Sequence, residues 1–458
     1  MTPLLRELVL PELRIANRVS VLDVNPGLVL TADRLEIAND IVVGAFDVRA
    51  FQRLELPALR RTERLTLSGV TGDETIVLTA LEEITDSLGF GIIRDAAVGA
   101  RQSLELPSLR RVGYFYQDGG LPFAEFRAPR WEEVSFSFVE FQLGPELTYL
   151  EVPSIKDAGV SVMLAADATE PVTLDLSSVE ILRQASLGLW FYPDLWSPGF
   201  RLAVLGEGST QPVRILMEDA AVSSDVVFCN FAIADELKIG PGITGTVRLC
   251  DLPQGSRVNL NEAENVRFLE AIRVGEAASP LSALSGLASV VEVWIQYSST
   301  MDLDLMVADG AVVTFGDMAA LYGTTIVRGA AGVVRNLTLR AWSNNGGSTG
   351  VEWDLSEVES GAIEIGSSNH SGYDGMWRID LSGFVEGDVH IESDGLYALS
   401  LLSYERGNVS IVTASVSPEF LPIRSAPELT GSVDFGPGFP CNPFLAVEWP
   451  NVSYVSCP

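Results

Sequence analysis

Positive charge is scarce in this sequence: 30 Lys and Arg stand against 61 Asp and Glu, a net charge of −31 over 458 residues. So acidic a surface excludes nucleic acid and anionic membranes as partners, because binding them depends on counterion release by clustered cations. Lysine occurs only at 156 and 238, so the basic residues are almost all arginine. Histidine occurs only at His370 and His390. Neither has a Cys or a further His spaced to complete a zinc set, and a Ser-His-Asp triad would have to draw on one of these two. A GxxxxGK[ST] phosphate loop is absent. The chain is therefore expected to bind no metal and no cofactor, and not to be an enzyme.

Long apolar runs are also missing. The longest stretch without charge, 277–291, contains Ser, Gly and Pro280 and falls short of the ~18 apolar residues of a spanning helix. No transmembrane segment is expected. Arg6 and Glu7 interrupt the first residues before an apolar h-region develops, so no signal peptide is visible. Helical periodicity is weak throughout, and the stretch 281–291 carries its best example. Hydrophobic residues nevertheless make up 47% and charged ones 20%, which supports a large folded core.

What is present is a recurring phrase: VLPELR at Pro11, LELPALRR at Pro57, LELPSLRR at Pro107 and LEVPSIKD at Pro153. Related phrases fall midway, in LTALEEI from Leu78 and FRAPRWEEV from Phe126. The underlying period is thus half the proline spacing, about 23 to 26 residues, within the range of leucine-rich and β-helical repeats. Inside each phrase Leu54 and Leu56, or Leu104 and Leu106, alternate with an outward Glu in the manner of a strand. The proline, which donates no hydrogen bond, closes the strand at a corner, and Leu59 or Leu109 then re-enters the core. A second short strand follows, in Leu65–Leu67 or Tyr114–Tyr116. The expected fold is all-β: a β-solenoid of leucine-rich-like coils.

Later phrases differ, in LDLSSVEI from Leu174, WDLSEVESGAIEI from Trp353 and IDLSGFVEGDVHIES from Ile379. They predict continued stacking through a different corner, where the Asp side chain accepts backbone N–H bonds. Residues 1–150 hold 15 basic and 22 acidic side chains and the remainder 15 and 39, so the acidity is mainly C-terminal. This divides the chain into a first solenoid over 1–186, an aromatic junction or loop over 187–205, a second, acidic solenoid over 206–435 and a C-terminal cap over 436–458.

The units of the form L-x-L-P-x-L-x-x-V, carried by Leu54, Leu56, Pro57 and Leu59 and again by Leu104, Leu106, Pro107, Leu109 and Val112, resemble the receptor L-domain family. They are similar to the leucine-rich-like modules of insulin and epidermal-growth-factor receptor ectodomains, and to their relatives among lipid-anchored fungal cell-wall proteins. The resemblance covers roughly residues 1–185. It implies an extracellular or wall-associated module that binds or supports without catalysis.

Four cysteines, 229, 250, 441 and 457, form two close pairs. Two local disulfides are expected, with Cys229 and Cys250 facing each other on adjacent coils and Cys441 and Cys457 stapling the cap. Sequons at Asn336, Asn369, Asn408 and Asn451 agree with secretion or a cell-surface location.

Two aromatic groups are candidate binding residues: Trp190, Phe191, Tyr192, Trp196 and Phe200 in the junction, and Tyr114 and Tyr116 beside Phe123, Phe126 and Trp131. Aromatic faces stack on sugars or fill an interface, and core packing collects them equally well. A cation follows each phrase proline by three residues, Arg14, Arg60, Arg110 and Lys156, and Glu55, Glu105 and Glu151 precede three of them. Stacking would line these into an acidic row and a basic row that either read a polymer, with Arg60 and Arg110 as binding residues, or keep the sheet soluble. The expected partner is a glycan or protein at a cell surface, with a homo-oligomer also open. The alternative is a polysaccharide-active β-helix, a lyase or hydrolase whose paired carboxylates sit on consecutive coils, with Asp354, Asp374, Asp380 and Asp388 as suspects. Calcium bridging Asp302 and Asp304 is the one conditional metal reading.

Overall fold

The computed structural model describes residues 6–22, 27–44, 51–92, 102–182 and 201–252, a few positions inside these ranges excepted, and chiefly the strands between 256 and 456. Among the described residues there is no helix. The chain is a β-solenoid in which each strand pairs in parallel with the strand one coil later. One short antiparallel pair, Gly275–Glu276 with Ser279–Pro280, departs from this rule. Within the stretch expected to be most helical, Ala283–Ser285 is a strand paired with Arg257–Asn259. A neighbouring coil supplies the hydrogen bonds that a weak local helix would otherwise make. The rest of that stretch lies outside the described residues.

Two compact units divide the chain, residues 1–244 and 245–458. In the first, Ile15 pairs with Ile37, Ile37 with Arg61 and Arg61 with Glu83. Side-chain bonds crossing one coil span 22 residues between Asn17 and Asn39 and 24 between Thr148 and Ala124. The proline phrase therefore returns on every second coil, as the midway phrases indicate. In the first coils a three-residue strand such as Arg53–Glu55 turns a corner and continues into a longer strand. That second strand is not short. Arg61–Val70 runs for ten residues, because alternate inward side chains, Leu65 and Leu67, stay in the interior.

The corners of the phrases share one geometry where they are described. Leu59 N–H donates to the Leu56 carbonyl at 3.2 Å, and Leu109 N–H to that of Leu106 at 3.2 Å, closing four-residue turns with a proline at the second position. The first and fourth residues, Leu56 and Leu59, are fully buried. The later phrases fold into the same turn and not a different one: Val179 N–H donates to Leu176 O at 3.0 Å and Phe384 N–H to Leu381 O at 3.0 Å. They differ in the treatment of one donor. Proline removes the N–H of the second position. Where serine takes its place, the preceding Asp accepts that N–H, Ser177 to Asp175 Oδ1 at 3.1 Å and Ser382 to Asp380 Oδ1 at 2.9 Å.

In the second unit, one face runs from Thr246–Cys250 through Asn336–Ala341 and Glu386–Ser393 to Val452–Ser456. A second face includes Thr324–Gly329, Val351–Asp354, Trp377–Asp380 and Leu396–Leu401. Gly361, Gly387 and Gly407 stack on successive coils with φ of 127°, 135° and 140°. A Cβ on Gly387 would come within 1.8 Å of the Gly361 carbonyl oxygen, so the coils approach too closely for any side chain.

Residues 201–205, expected in the junction, form a strand paired with Val160–Met163, and 187–200 lie outside the described residues. Of the expected cap, Val452–Ser456 is described and pairs with the strand Thr430–Phe435. Cys229 and Cys250 are joined in a disulfide. Cys441 and Cys457 lie outside the described residues.

Candidate functional site on the short-strand face

The short strands of the first unit stack into a sheet whose outward positions form two columns. Parallel pairing sets Ser103, Glu125, Tyr149 and Thr173 side by side, and next to them Glu105, Arg127, Glu151 and Asp175. Between the columns Leu104, Phe126, Leu150 and Leu174 point inward and are buried. Four coils thus hold an arginine, a tyrosine and several carboxylates on one open surface, at the ~4.8 Å spacing of neighbouring strands.

The polar side chains hold one another in place. Arg127 donates Nε and Nη2 to Glu125 Oε2 at 3.0 and 2.9 Å. Its guanidinium lies 4.5 Å from the centre of the Tyr149 ring, a cation–π contact. Tyr149 Oη donates to Asp175 Oδ2 at 3.0 Å, while the other oxygen of Asp175 caps the Ser177 corner. Burial, followed by the hydrogen bond to Asp175, pushes the Tyr149 phenol up to about 12. It stays a donor at every physiological pH.

Glu151 lies between Arg127 and Asp175 with no hydrogen-bond partner among the described residues. Partial desolvation raises its pKa from the ordinary glutamate value, the neighbouring Asp175 raises it further, Arg127 opposes both, and Glu105 adds a smaller push upward. It is a half-buried acid that keeps its proton more readily than an ordinary glutamate, next to a carboxylate fixed by two donors.

None of Arg127, Tyr149 or Asp175 was expected from the sequence. The usable signal was the half-period alignment of SLELP, EFRAP, YLEVP and TLDLS, which places these residues in register. Alignment of the proline phrases alone skips every second coil and passes over Arg127.

The expected binding residues are placed as follows. Tyr114 is exposed and Tyr116 half-buried on the outward side of Arg111–Asp118, their rings stacked at 6.0 Å, with Tyr116 Oη hydrogen-bonded to Thr66 Oγ1 at 3.2 Å. Their expected companions Phe123, Phe126 and Trp131 are core, each at most 1% exposed. Trp131 packs 5.7 Å from Phe115, and its Nε1 donates to the Glu133 carbonyl at 3.0 Å. Trp190, Phe191, Tyr192 and Trp196 lie outside the described residues.

Arg60 and Arg110 are exposed, but separate basic and acidic rows do not form. Backbone N–H groups of Glu36, Arg60, Glu82, Arg110, Glu132 and Lys156 each donate to the preceding member of one column that begins at Arg14, and Lys156 is bridged to Glu180. Signs alternate along the whole column. Beside it Glu83 lies between Arg61 at 3.3 Å and Arg111 at 3.6 Å. Like charges on adjacent strands repel, so phrases ending in RR alternate with phrases ending in EE. The two-coil period of the sequence is a period of charge.

Among the acidic suspects, Asp380 caps its corner and Asp388 accepts from Asn408 at 2.9 Å. Asp374 and Asp302 lie outside the described residues, and the Asp354 and Asp304 side chains are likewise not described. Among the described residues no group of three or more His, Cys, Asp or Glu is arranged to hold a metal, and no helix is long and apolar enough to cross a membrane. The sequence Gly240-Pro241-Gly242-Ile243-Thr244-Gly245 has GxGxxG spacing, but it closes a turn, Ile243 N–H to Gly240 O at 3.3 Å, with no helix following to receive a phosphate. Gly346-Gly347-Ser348-Thr349-Gly350 has G-x-S-x-G spacing and lies outside the described residues. The chain matches no family model, no curated protein and no solved structure.

Proposed function

We propose that the chain is a non-catalytic, extracellular or cell-surface solenoid of receptor L-domain type, and that it binds a glycan on the short-strand face of its first unit. One observation carries this reading: a tyrosine ring and an arginine plane held together at 4.5 Å on an open sheet, with the phenol and the carboxyls of Glu151 and Asp175 beside them. An aromatic plane offers stacking area to a sugar ring, and flanking acceptors and donors match its hydroxyls. The pairing Arg127–Glu125 and Tyr149–Asp175 keeps these groups ordered before a ligand arrives, which lowers the entropy cost of binding. The disulfide at Cys229 and Cys250 is in keeping with an oxidising compartment.

The test is a screen of neutral and acidic oligosaccharides followed by titration calorimetry. Tyr149→Ala is expected to weaken the best ligand at least tenfold with little change in melting temperature. Unchanged affinity removes the face from the reading.

A second reading rests on Glu151 alone. A glutamate inclined to hold its proton beside a second carboxyl group is the arrangement of a glycosidase acid and its partner. Release of reducing ends from a bound polysaccharide, lost in Glu151→Gln, would favour that alternative.

A further inference from the structure

The alternating charge also describes what is missing at one end of the first unit. Within the column every cation has an acid on both sides: Arg60 between Glu36 and Glu82, Arg110 between Glu82 and Glu132, Lys156 between Glu132 and Glu180. A second column repeats the rule, with Arg64 paired in register to Asp40 and bridged to Asp86 at 2.9 Å. Among the described residues both columns end in a cation with an acid on one side only. Arg14 has Glu36, and Arg18 has Asp40.

These two arginines lie at the start of and within the strand Ile15–Leu22, the terminal strand of its six-stranded sheet. Among the described residues the interior is open here. Leu8, Leu10, Leu13 and Val21 are only half-buried, whereas their counterparts one coil later, Leu30, Ala32, Leu35 and Val43, are at most 1% exposed. Val9, Ile15 and Leu22 are 48%, 69% and 53% exposed. The backbone is open as well: the N–H that each later member of the column gives to the coil before it has, at Arg14, no acceptor among the described residues.

We propose that Ile15–Leu22 docks a β-strand of a partner protein, laid parallel to it, alternately apolar, and carrying carboxylates four residues apart beside Arg14 and Arg18. Such a strand satisfies the edge N–H groups, covers the half-buried Val21 and continues both charge columns without a repeated sign. A second copy using the same edge does not fit, because it brings arginine to arginine. The spacing needed is that of Glu36 and Asp40, which meet the same two arginines from the other side.

The probe is therefore a fluorescent peptide of residues 30–44, LTADRLEIANDIVVG, compared by anisotropy with the same peptide carrying Glu36→Arg and Asp40→Arg. The acidic peptide is expected to bind the intact protein at least tenfold more tightly, and Arg14→Glu with Arg18→Glu in the protein is expected to reverse the preference. Equal binding of the two peptides, or none by either, overturns the proposal on the unmodified protein, independently of how the variant folds. A concentration-dependent dimer in sedimentation that the acidic peptide fails to dissolve overturns it too, in favour of a second copy as occupant.

Discussion

Glu151 lies between the Arg127 guanidinium and a second carboxyl group, that of Asp175. Asp175 is fixed by the Tyr149 hydroxyl and the Ser177 amide, so the cost of a second negative charge falls on Glu151, whose pKa is raised by desolvation and then by Asp175. Its folded-state value therefore exceeds that of the unfolded chain. The stabilisation associated with its protonated form is complete below the unfolded value and is lost as pH rises through the folded one. Asp175→Asn removes the repelling charge, so the Glu151 carboxyl titration followed by NMR is expected to move to lower pH, and the stability lost across that interval to shrink. A midpoint that stays in place would mean that the charge of Asp175 does not set it. Little of this was legible beforehand: Arg127, Tyr149 and Asp175 are about one coil apart in sequence, and only the exact coil length brings them together.

A corner has to dispose of one N–H, and the two phrase types do so by different chemistry. LPxL removes the donor, and DLSxV gives it an acceptor. In Asp380→Ala the Ser382 N–H loses its partner at a corner whose flanking Leu381 and Phe384 are fully buried. The expected loss is about 1 kcal/mol in denaturant unfolding. Adding Ser382→Pro deletes the orphaned donor and presets the turn, so the double variant is expected to recover most of that loss, whereas Pro in the Asp380 parent adds less. If Pro rescues nothing, the equivalence of the two corners fails. The strands and corners were legible because leucine alternation and proline are local signals. The shared corner was not, because two unlike sequences meet the same hydrogen-bond requirement. Nor was the alternation of charge along the stack, because the acidic phrases that fall between the LPxLRR phrases, one of them with its own Pro129, read as a different motif.

Over the whole chain, stability is distributed coil by coil, since a strand in a solenoid pairs only with its neighbours. Loss of one cross-link should then act locally and not lower protection everywhere, in contrast to a small domain that unfolds in a single step. The disulfide of Cys229 and Cys250 closes a loop of about 20 residues, for which chain entropy assigns about 3 kcal/mol. Both cysteines are 3% exposed, so removing the bond also disturbs packing. After reduction, hydrogen exchange is expected to speed up in Asp225–Cys229 and Thr246–Cys250 and to stay unchanged in Arg61–Val70, whose register and buried Leu65 and Leu67 involve neither cysteine. Uniform acceleration across all three strands would show that the coils unfold as one cooperative body, and that nearest-neighbour stacking is the wrong description of what holds this chain together.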